Sequence, residues 1–359
     1  MQKYEIIINP KLLKQLEKDI WMNEHVPAVL KLEGKQYTIG LAYRGNVLRK
    51  KIKKSYNIVF QKPFTMNGAH EIHLNAEFSD ISLSRNKLSL DFFDQIGVIA
   101  PHSKHVLLYI NGICQGIYLN LESFDRFLLR KRKLPLGPII YATNYHANFS
   151  LLTPENKLKT SLIEGYTIKY GQKKDIRVLE NMIAMTNTLS SERFEEEIPH
   201  VMDIEKYFKW LSGVVCTQNY DGFIHNYALY QNGDTGKFEM TPWDYDGTWG
   251  RDLHGKKIAY DYVPITGYNT LTGRLLHLPK FSSLYREILS SILEKEFTTE
   301  CQMERVEQVL NDLKPYISLD PYLTTSLEEF EKEKDVFHRF ITNRNSYLRQ
   351  ELKQLQSKI

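Results

Sequence analysis

Cysteine is scarce in this chain of 359 residues: Cys114, Cys216 and Cys301 are the only three. Their spacing suits neither a disulfide framework nor a zinc site with paired ligands, so they are expected as buried thiols. Long apolar runs are also missing. No stretch approaches the ~18 residues of a membrane span, and no apolar segment follows a basic N-terminus as in a secretory signal. A cytosolic chain with no membrane partner is therefore expected. Internal repeats and low-complexity segments are absent. So are G-x-G-x-x-G and G-x-x-x-x-G-K-[ST], which excludes the ordinary glycine-rich loop and the P-loop as covers for a nucleotide's phosphates.

Charge of one sign is barely in excess: 47 Lys and Arg against 43 Asp and Glu leave a formal net charge of +4. The basic residues cluster in Arg49-Lys50-Lys51-Ile52-Lys53-Lys54 and Arg130-Lys131-Arg132-Lys133. No zinc-finger spacing, RNP-like segment or helix-turn-helix signature accompanies them. The expected partner is then phosphate or an acidic surface, not nucleic acid. The length suggests two domains or one bilobed fold, and 42% hydrophobic residues with 12% aromatics suffice for a sizeable core.

The periodicity predicts an α+β chain, strand-rich at first and mainly helical afterwards. Strands are expected over Tyr4 to Asn9, Ala28 to Leu32, Gln36 to Ala42, Tyr56 to Phe60, Val106 to Ile110 and Gly116 to Leu121. Helices are expected from Pro10 to about Trp21 and from Leu83 to Ile96, the second closed by Gly97. A boundary near Glu122 divides an N-terminal lobe, residues 1–122, from a C-terminal lobe, residues 123–359. Beyond it, helical spacing covers Lys173 to Leu189, Ile204 to Val215, Phe281 to Leu293, Met303 to Leu313 and Leu327 to Leu355. The histidine pairs His70/His73 and His102/His105 lack a third ligand and are expected to be solvated.

The chemistry concentrates between Tyr220 and Asp252. Asp221 and Asn226 are spaced D-x-x-x-x-N, the interval that separates the catalytic Asp from the metal-binding Asn in a protein-kinase loop. Two strands follow, Asn226 to Gln231 and Lys237 to Thr241, joined by a turn whose Asn232-Gly233 pair tolerates positive φ. The hairpin then delivers Asp244 and Asp246 in W-D-Y-D, where a kinase has D-F-G. Magnesium takes one or two carboxylates and completes its shell with phosphate and water, which Asp221, Asn226 and Asp244 can accommodate. His225 is a candidate organiser of the loop. The stretch Leu253 to Thr272, which combines Gly, Tyr and His, is a candidate substrate-side loop, with Asp261, Tyr262, Asn269 and Arg274 as its polar candidates.

This segment resembles the signature of the CotH (spore-coat protein H) kinase family, atypical protein kinases of bacterial spore coats. The likeness extends to Arg44-Gly45, Lys53-Lys54-Ser55-Tyr56, Leu83-Ser84-Arg85-Asn86-Lys87-Leu88, Asn111-Gly112, Gly116-Ile117-Tyr118 and Glu122, in order along most of the chain. It implies an atypical protein-kinase-like bilobed fold with a catalytic β-hairpin. It further implies transfer of the ATP γ-phosphate to Ser or Thr of Ser-rich spore coat proteins in coat assembly, with Mg2+ or Mn2+, in the mother-cell cytoplasm and then the coat. In that frame Asp221 orients the acceptor hydroxyl, and Asn226, Asp244 and Asp246 are the metal candidates. Lys53, with Lys54 as the fallback, meets the phosphates, and Arg44 and Arg85 are further cationic candidates. Glu122 serves either a lysine pair or the junction between the lobes. The chain departs from the pattern at Asn46-Val47-Leu48, where relatives carry a serine, and at Tyr220, where protein kinases have arginine.

Two other functions fit the same residues. A non-catalytic morphogenetic scaffold would keep the fold and recruit coat proteins without transferring phosphate. A metal-dependent phosphodiesterase would use the same acids without ATP, although the D-x-x-x-x-N, hairpin and W-D-Y-D order fits phosphoryl transfer better.

Overall fold

The structure, a computed structural model, describes residues 1–45, 47–63 and 65–357. Strands come first because apolar residues alternate there. Tyr4, Ile6 and Ile8 point one way from β1 (Gln2–Ile8), and Val26, Ala28, Leu30 and Leu32 do so from β2 (Val26–Leu32). Between them Pro10 opens α1 (Pro10–Lys18), capped by the Asn9 side chain. The Glu33-Gly34 turn, with both residues at positive φ, leads into β3 (Lys35–Arg44). Next come β4 (Ser55–Phe60), β5 (Glu71–Asn75), α2 (Arg85–Gln95), β6 (Ser103–Ile110) and β7 (Ile113–Glu122). The seven strands close a barrel in the order β1-β2-β3-β4-β5-β7-β6, with β6 parallel to β1.

After Glu122 the chain runs through α3 (Arg126–Lys131), β8 (Ile139–Ala142), β9 (Tyr166–Tyr170), α4 (Ile176–Thr188), α5 (Ser191–Val201) and α6 (Ile204–Thr217). The expected hairpin follows as β10 (Tyr227–Gln231) and β11 (Phe238–Pro242), which joins β8 and β9 in a four-stranded sheet ordered β11-β10-β8-β9. Helices α7 (Thr270–Leu276), α8 (Pro279–Lys295), α9 (Thr299–Leu313), α10 (Leu327–Glu331) and α11 (Glu333–Ser357) complete the chain. The single long helix expected over Leu327 to Leu355 is thus interrupted at Lys332, and β5, β8 and β9 were not anticipated. Among the described residues no helix is long and apolar enough to cross a membrane.

Two cores meet at β6 and β7. Val106, Leu108 and Tyr118 face the barrel interior, whereas Leu107, Ile117, Leu119 and Leu121 face a second core shared with α2, α6 and the C-terminal helices. Helix α2 is buried on nearly every side because it packs between β6 and α6 within the second core. Gly213 of α6 marks its closest approach, since a Cβ there would come within 2.2 Å of the Phe93 ring. The thiols differ from expectation: Cys216 is buried, but Cys114 and Cys301 are only half-buried.

The histidine pairs also depart from the solvated expectation. His73 is buried on β5, 2.9 Å from Glu71, and His105 is half-buried with its Nε2 2.7 Å from the Leu83 carbonyl. Burial, aided at His73 by nearby Arg44 and Lys169 against Glu71, brings each imidazole down to about 4. A folded pKa below the unfolded 6.5 means that the unfolded chain takes up protons first. Stability from these two groups is therefore complete above about pH 6.5 and is lost as pH falls toward 4, by up to about 3 kcal/mol each. Urea midpoints measured from pH 7 down to 4 should fall across that window; a flat profile would show that the two imidazoles do not titrate this way.

Candidate active site

Helix α6 carries the chain to the site. It ends at Gln218, whose left-handed backbone (φ 63°) turns the chain sharply, and the Asn219 side chain caps the next turn by accepting from the Gly222 N–H at 3.0 Å. Asp221 opens a 3-10 turn, and its carbonyl accepts from the N–H groups of Ile224 and His225. The residue is buried, at 8% exposure. Desolvation raises its pKa and Asp244 adds to that, while His225 and the Tyr145 hydroxyl oppose the shift.

The base of the β10–β11 hairpin holds the next two residues. Tyr227 pairs with Pro242, so Asn226 and Trp243 face each other one step beyond the ladder, and the Trp243 N–H donates to the Asn226 carbonyl at 3.2 Å. Asn226 (φ 59°) and Asp244 (φ 63°) are both left-handed, and the Asn226 amide donates to the Asp244 carbonyl at 3.2 Å. Asn and Asp tolerate this region better than other side chains with a Cβ. Two local reversals therefore lock Asn226 and Asp244 together through the Asp244 backbone carbonyl, with the Asp244 carboxylate taking no part in that bond.

Asp244 and Asp246 are both half-buried, and both have raised pKa values, caused first by desolvation. Asp244 is partly compensated by Arg44 and His225, whereas Asp246 is pushed further by Asp244, Glu77 and Asp80. A local excess of desolvated carboxylate is an arrangement that a cation relieves. Among the described residues no three His, Cys, Asp or Glu side chains form a metal cage by themselves. The donor set, one amide and one or two carboxylates, fits magnesium or manganese with phosphate and water filling the remaining positions.

Arg44, at the end of β3, faces this group. Its guanidinium donates to the Asn75 side chain, and its charge is felt by Asp244, Glu71 and Glu77. It lines a cleft with His73, Leu121, Glu122, Phe124, Tyr141, Trp243 and Asp244. Tyr141 and Trp243 stack there, centroids 5.6 Å apart at 21°, with the Trp243 indole N–H buried and unpartnered. Glu122, at the end of β7 on the cleft wall, is paired with Lys131 at 2.7 Å and Arg132 at 2.9 Å, which holds its pKa down against burial. Among the described residues its ion-pair partners are these two, from α3 and the residue after it, at the junction between barrel and helices.

The other basic candidates are placed elsewhere. Strand β4 opens at Ser55, so Lys53 and Lys54 both precede it. The Lys53 ammonium is buried against Asp320 at 2.7 Å and the Ile117 carbonyl at 2.6 Å. Lys54 donates to the Arg49 carbonyl at 2.6 Å. Asp320 also accepts from the Ile117 N–H, so this pair ties the segment after α9 to the barrel. Arg85 is also engaged internally: it donates to Asp80, to Ser82 at 2.9 Å, to the Thr248 carbonyl at 3.1 Å and to Glu333 at 2.6 Å. Arg251 binds the same Glu333. Losing one member of such a buried network costs on the order of 3–5 kcal/mol. Arg85 positions the 244–251 segment, and with two carboxylates already on its fully buried guanidinium it is committed to that network and not to phosphate. Asn46 lies outside the described residues.

On the outer side of Asp221 stand Tyr145, Tyr220, Tyr262 and Tyr268, all exposed, with Tyr220 packed on Tyr262 and Tyr268. Of the loop candidates, Tyr262 belongs to this patch. Asn269 instead caps α7 and donates to the Phe223 carbonyl at 3.0 Å, and Arg274 turns away to the Leu189 carbonyl. Sequence reasoning missed Glu77, Asn75 and the Tyr141–Trp243 pair. Trp243 opens W-D-Y-D but drew no role of its own; Glu77, Asn75 and Tyr141 belong to no motif, and only the left-handed backbone of Glu77 (φ 47°) marks it in the fold.

Comparison with known proteins places these features in context. A family model described as CotH kinase protein matches residues 41–348. The chain is 46% identical over 350 residues to the inner spore coat protein H of Bacillus subtilis (strain 168), covering 97% of each. Among solved structures, HipA in the Shewanella oneidensis MR-1 toxin–antitoxin complex with HipB and operator DNA aligns over 99% of this chain and 74% of its own, at 12% identity and a TM-score of 0.38. The Helicobacter pylori proinflammatory kinase CtkA aligns over 98% and 96%, at 11% identity and a TM-score of 0.31.

Proposed function

The chain belongs to the CotH kinase family, and from that premise we propose that it is an atypical protein kinase transferring the ATP γ-phosphate to Ser or Thr of spore coat proteins during coat assembly. The observation that carries the reading is the Asp221, Asn226 and Asp244 constellation, with Asn226 and Asp244 fastened in paired left-handed conformations at the foot of one hairpin. In this reading residues 1–122 and 123–359 act as the two lobes around the cleft.

Each residue then has a task. Asp221 accepts the hydrogen bond of the acceptor hydroxyl and orients its oxygen toward the phosphorus. Arg44 meets phosphate oxygens in the place first expected of Lys53 or Lys54, because its guanidinium is the cation that faces Asp244. Tyr141 and Trp243 offer flat walls and one free N–H to the base. Asn226 and Asp244, with Asp246 beside them, would hold Mg2+ or Mn2+. That cation, when bound, neutralises phosphate charge as the transferred group departs. The exposed tyrosines beyond Asp221 flank the entry of the acceptor.

The test is mass spectrometry of a Ser-rich coat protein incubated with the protein, ATP and Mg2+ or Mn2+. Phosphoserine or phosphothreonine appearing on the acceptor supports the reading. Unmodified acceptor together with undetectable ATP binding would favour the scaffold.

A further inference from the structure

Glu77 is a carboxylate that the reading above leaves without work. It sits in the turn after β5, 4% exposed, with a strained left-handed backbone for a side chain that gains nothing locally from it. One oxygen, Oε1, accepts from the Asn86 amide at 3.1 Å. The other, Oε2, is buried and has no hydrogen-bond partner. Orphaned carboxylate oxygens are costly in a folded core, and although the Asn75 side chain and Arg44 favour its charge, Glu77 interacts unfavourably with Asp80, Asp244 and Asp246.

Asn86 ties Glu77 to those acids physically. While its amide donates to Glu77, its carbonyl oxygen accepts from the Tyr245 N–H at 3.1 Å, the peptide between Asp244 and Asp246. Glu77, in the turn after β5 of the barrel, and the W-D-Y-D turn are thus joined through one asparagine on α2. The charge of Glu77 is felt by Asp244 and Asp246, but among the described residues the three carboxylates do not form a cage that would bind a metal directly, which leaves Glu77 a role through water. Mg2+ and Mn2+ sites of this kind keep several bound waters, and a buried acceptor with a free oxygen is what a metal-bound water requires.

Resting on the kinase reading, we propose that Glu77 is the positioning residue of the metal centre: its free oxygen accepts a hydrogen bond from the water shell of the cation held by Asp244 and Asn226. Glu77 and Asn86 thereby make the barrel's placement over the W-D-Y-D turn part of cation binding.

Glu77→Gln separates this role from a structural one. The glutamine carbonyl still accepts from Asn86, but an N–H replaces the free oxygen and presents a donor where water needs an acceptor. Mn2+ binding to the full chain with ADP, followed by electron paramagnetic resonance, is expected to weaken by about 10–100-fold, the range found when outer-shell partners of a metal are lost. The melting temperature in EDTA should hold, because the glutamine keeps the hydrogen bond from Asn86. Glu77→Ala, which also frees Asn86, should lose both metal affinity and stability. Unchanged Mn2+ affinity in Glu77→Gln would overturn the assignment and leave the kinase reading standing. No Mn2+ binding by the unaltered protein, with or without ADP, would overturn both.

Discussion

Replacement of Asp221 by Ala is expected to lower the transfer rate by about 10^3-fold or more while ATP affinity stays within about twofold, since losing a positioned base costs 10^2–10^4 and the nucleotide's walls are elsewhere. Asp221 lies on the exposed-tyrosine side of the site, and the cleft is lined by Arg44, Tyr141, Trp243 and Asp244. Its backbone is held by the Asn219 cap and by the N–H groups of Ile224 and His225, none of which uses its side chain. The truncation should therefore leave the turn intact. Single-turnover transfer and ATP titration on the same preparation check this. A rate loss matched by an equal loss of ATP binding would reassign Asp221 to the nucleotide.

Asp244 should behave oppositely. Asp244→Asn is the informative change, because asparagine keeps the left-handed φ of 63° that alanine would strain. Its loss of charge should abolish the enhancement of ATP affinity by Mg2+ or Mn2+, leaving the weak affinity measured in EDTA. Activity falls with it. Because the Asp244 carboxyl is held above its ordinary pKa by desolvation, its charged form is disfavoured in the fold, and the neutral amide should melt at the same temperature or higher. Calorimetric titration of ATP with and without metal, paired with thermal melts, measures both. Equal metal enhancement in Asp244→Asn would remove Asp244 from the metal site.

What could be read in advance was local. The hairpin was legible because Asn232-Gly233 sits between two short alternating runs, and α2 because its apolar period ends at Gly97, left-handed at φ 80°. The order Asp221, Asn226, Asp244 was legible as spacing, although nothing in it foretold two left-handed residues. The misplaced cations fail for one reason. Lys53 is claimed by Asp320, 267 residues away, and Arg85 by Glu333, 248 residues away. A basic residue at a strand or helix start looks the same whether its partner is a ligand or a distant carboxylate. Strand β5 was missed because E-I-H-L-N buries His73 and Asn75 with its apolar residues, so the polar positions that normally mark a strand's outer face are inside. Glu77 left no trace, since only the barrel's closure brings it to the W-D-Y-D turn.

The basic clusters show the same limit. Arg49 bonds to the Gly45 and Ile20 carbonyls and to Asn23, and Lys131 and Arg132 neutralise Glu122. Much of what resembles a phosphate-binding surface in sequence is internal scaffolding at the barrel's edge.

The central claim is phosphoryl transfer organised by Asp221. Its most direct test is transfer of radiolabelled γ-phosphate from ATP, with Mg2+ or Mn2+, to a Ser-rich coat protein, comparing the unaltered chain with Asp221→Ala. Label that reaches the acceptor with the first and is lost with the second is the predicted result. Equal labelling by both, or none by either with no ATP bound, would contradict it.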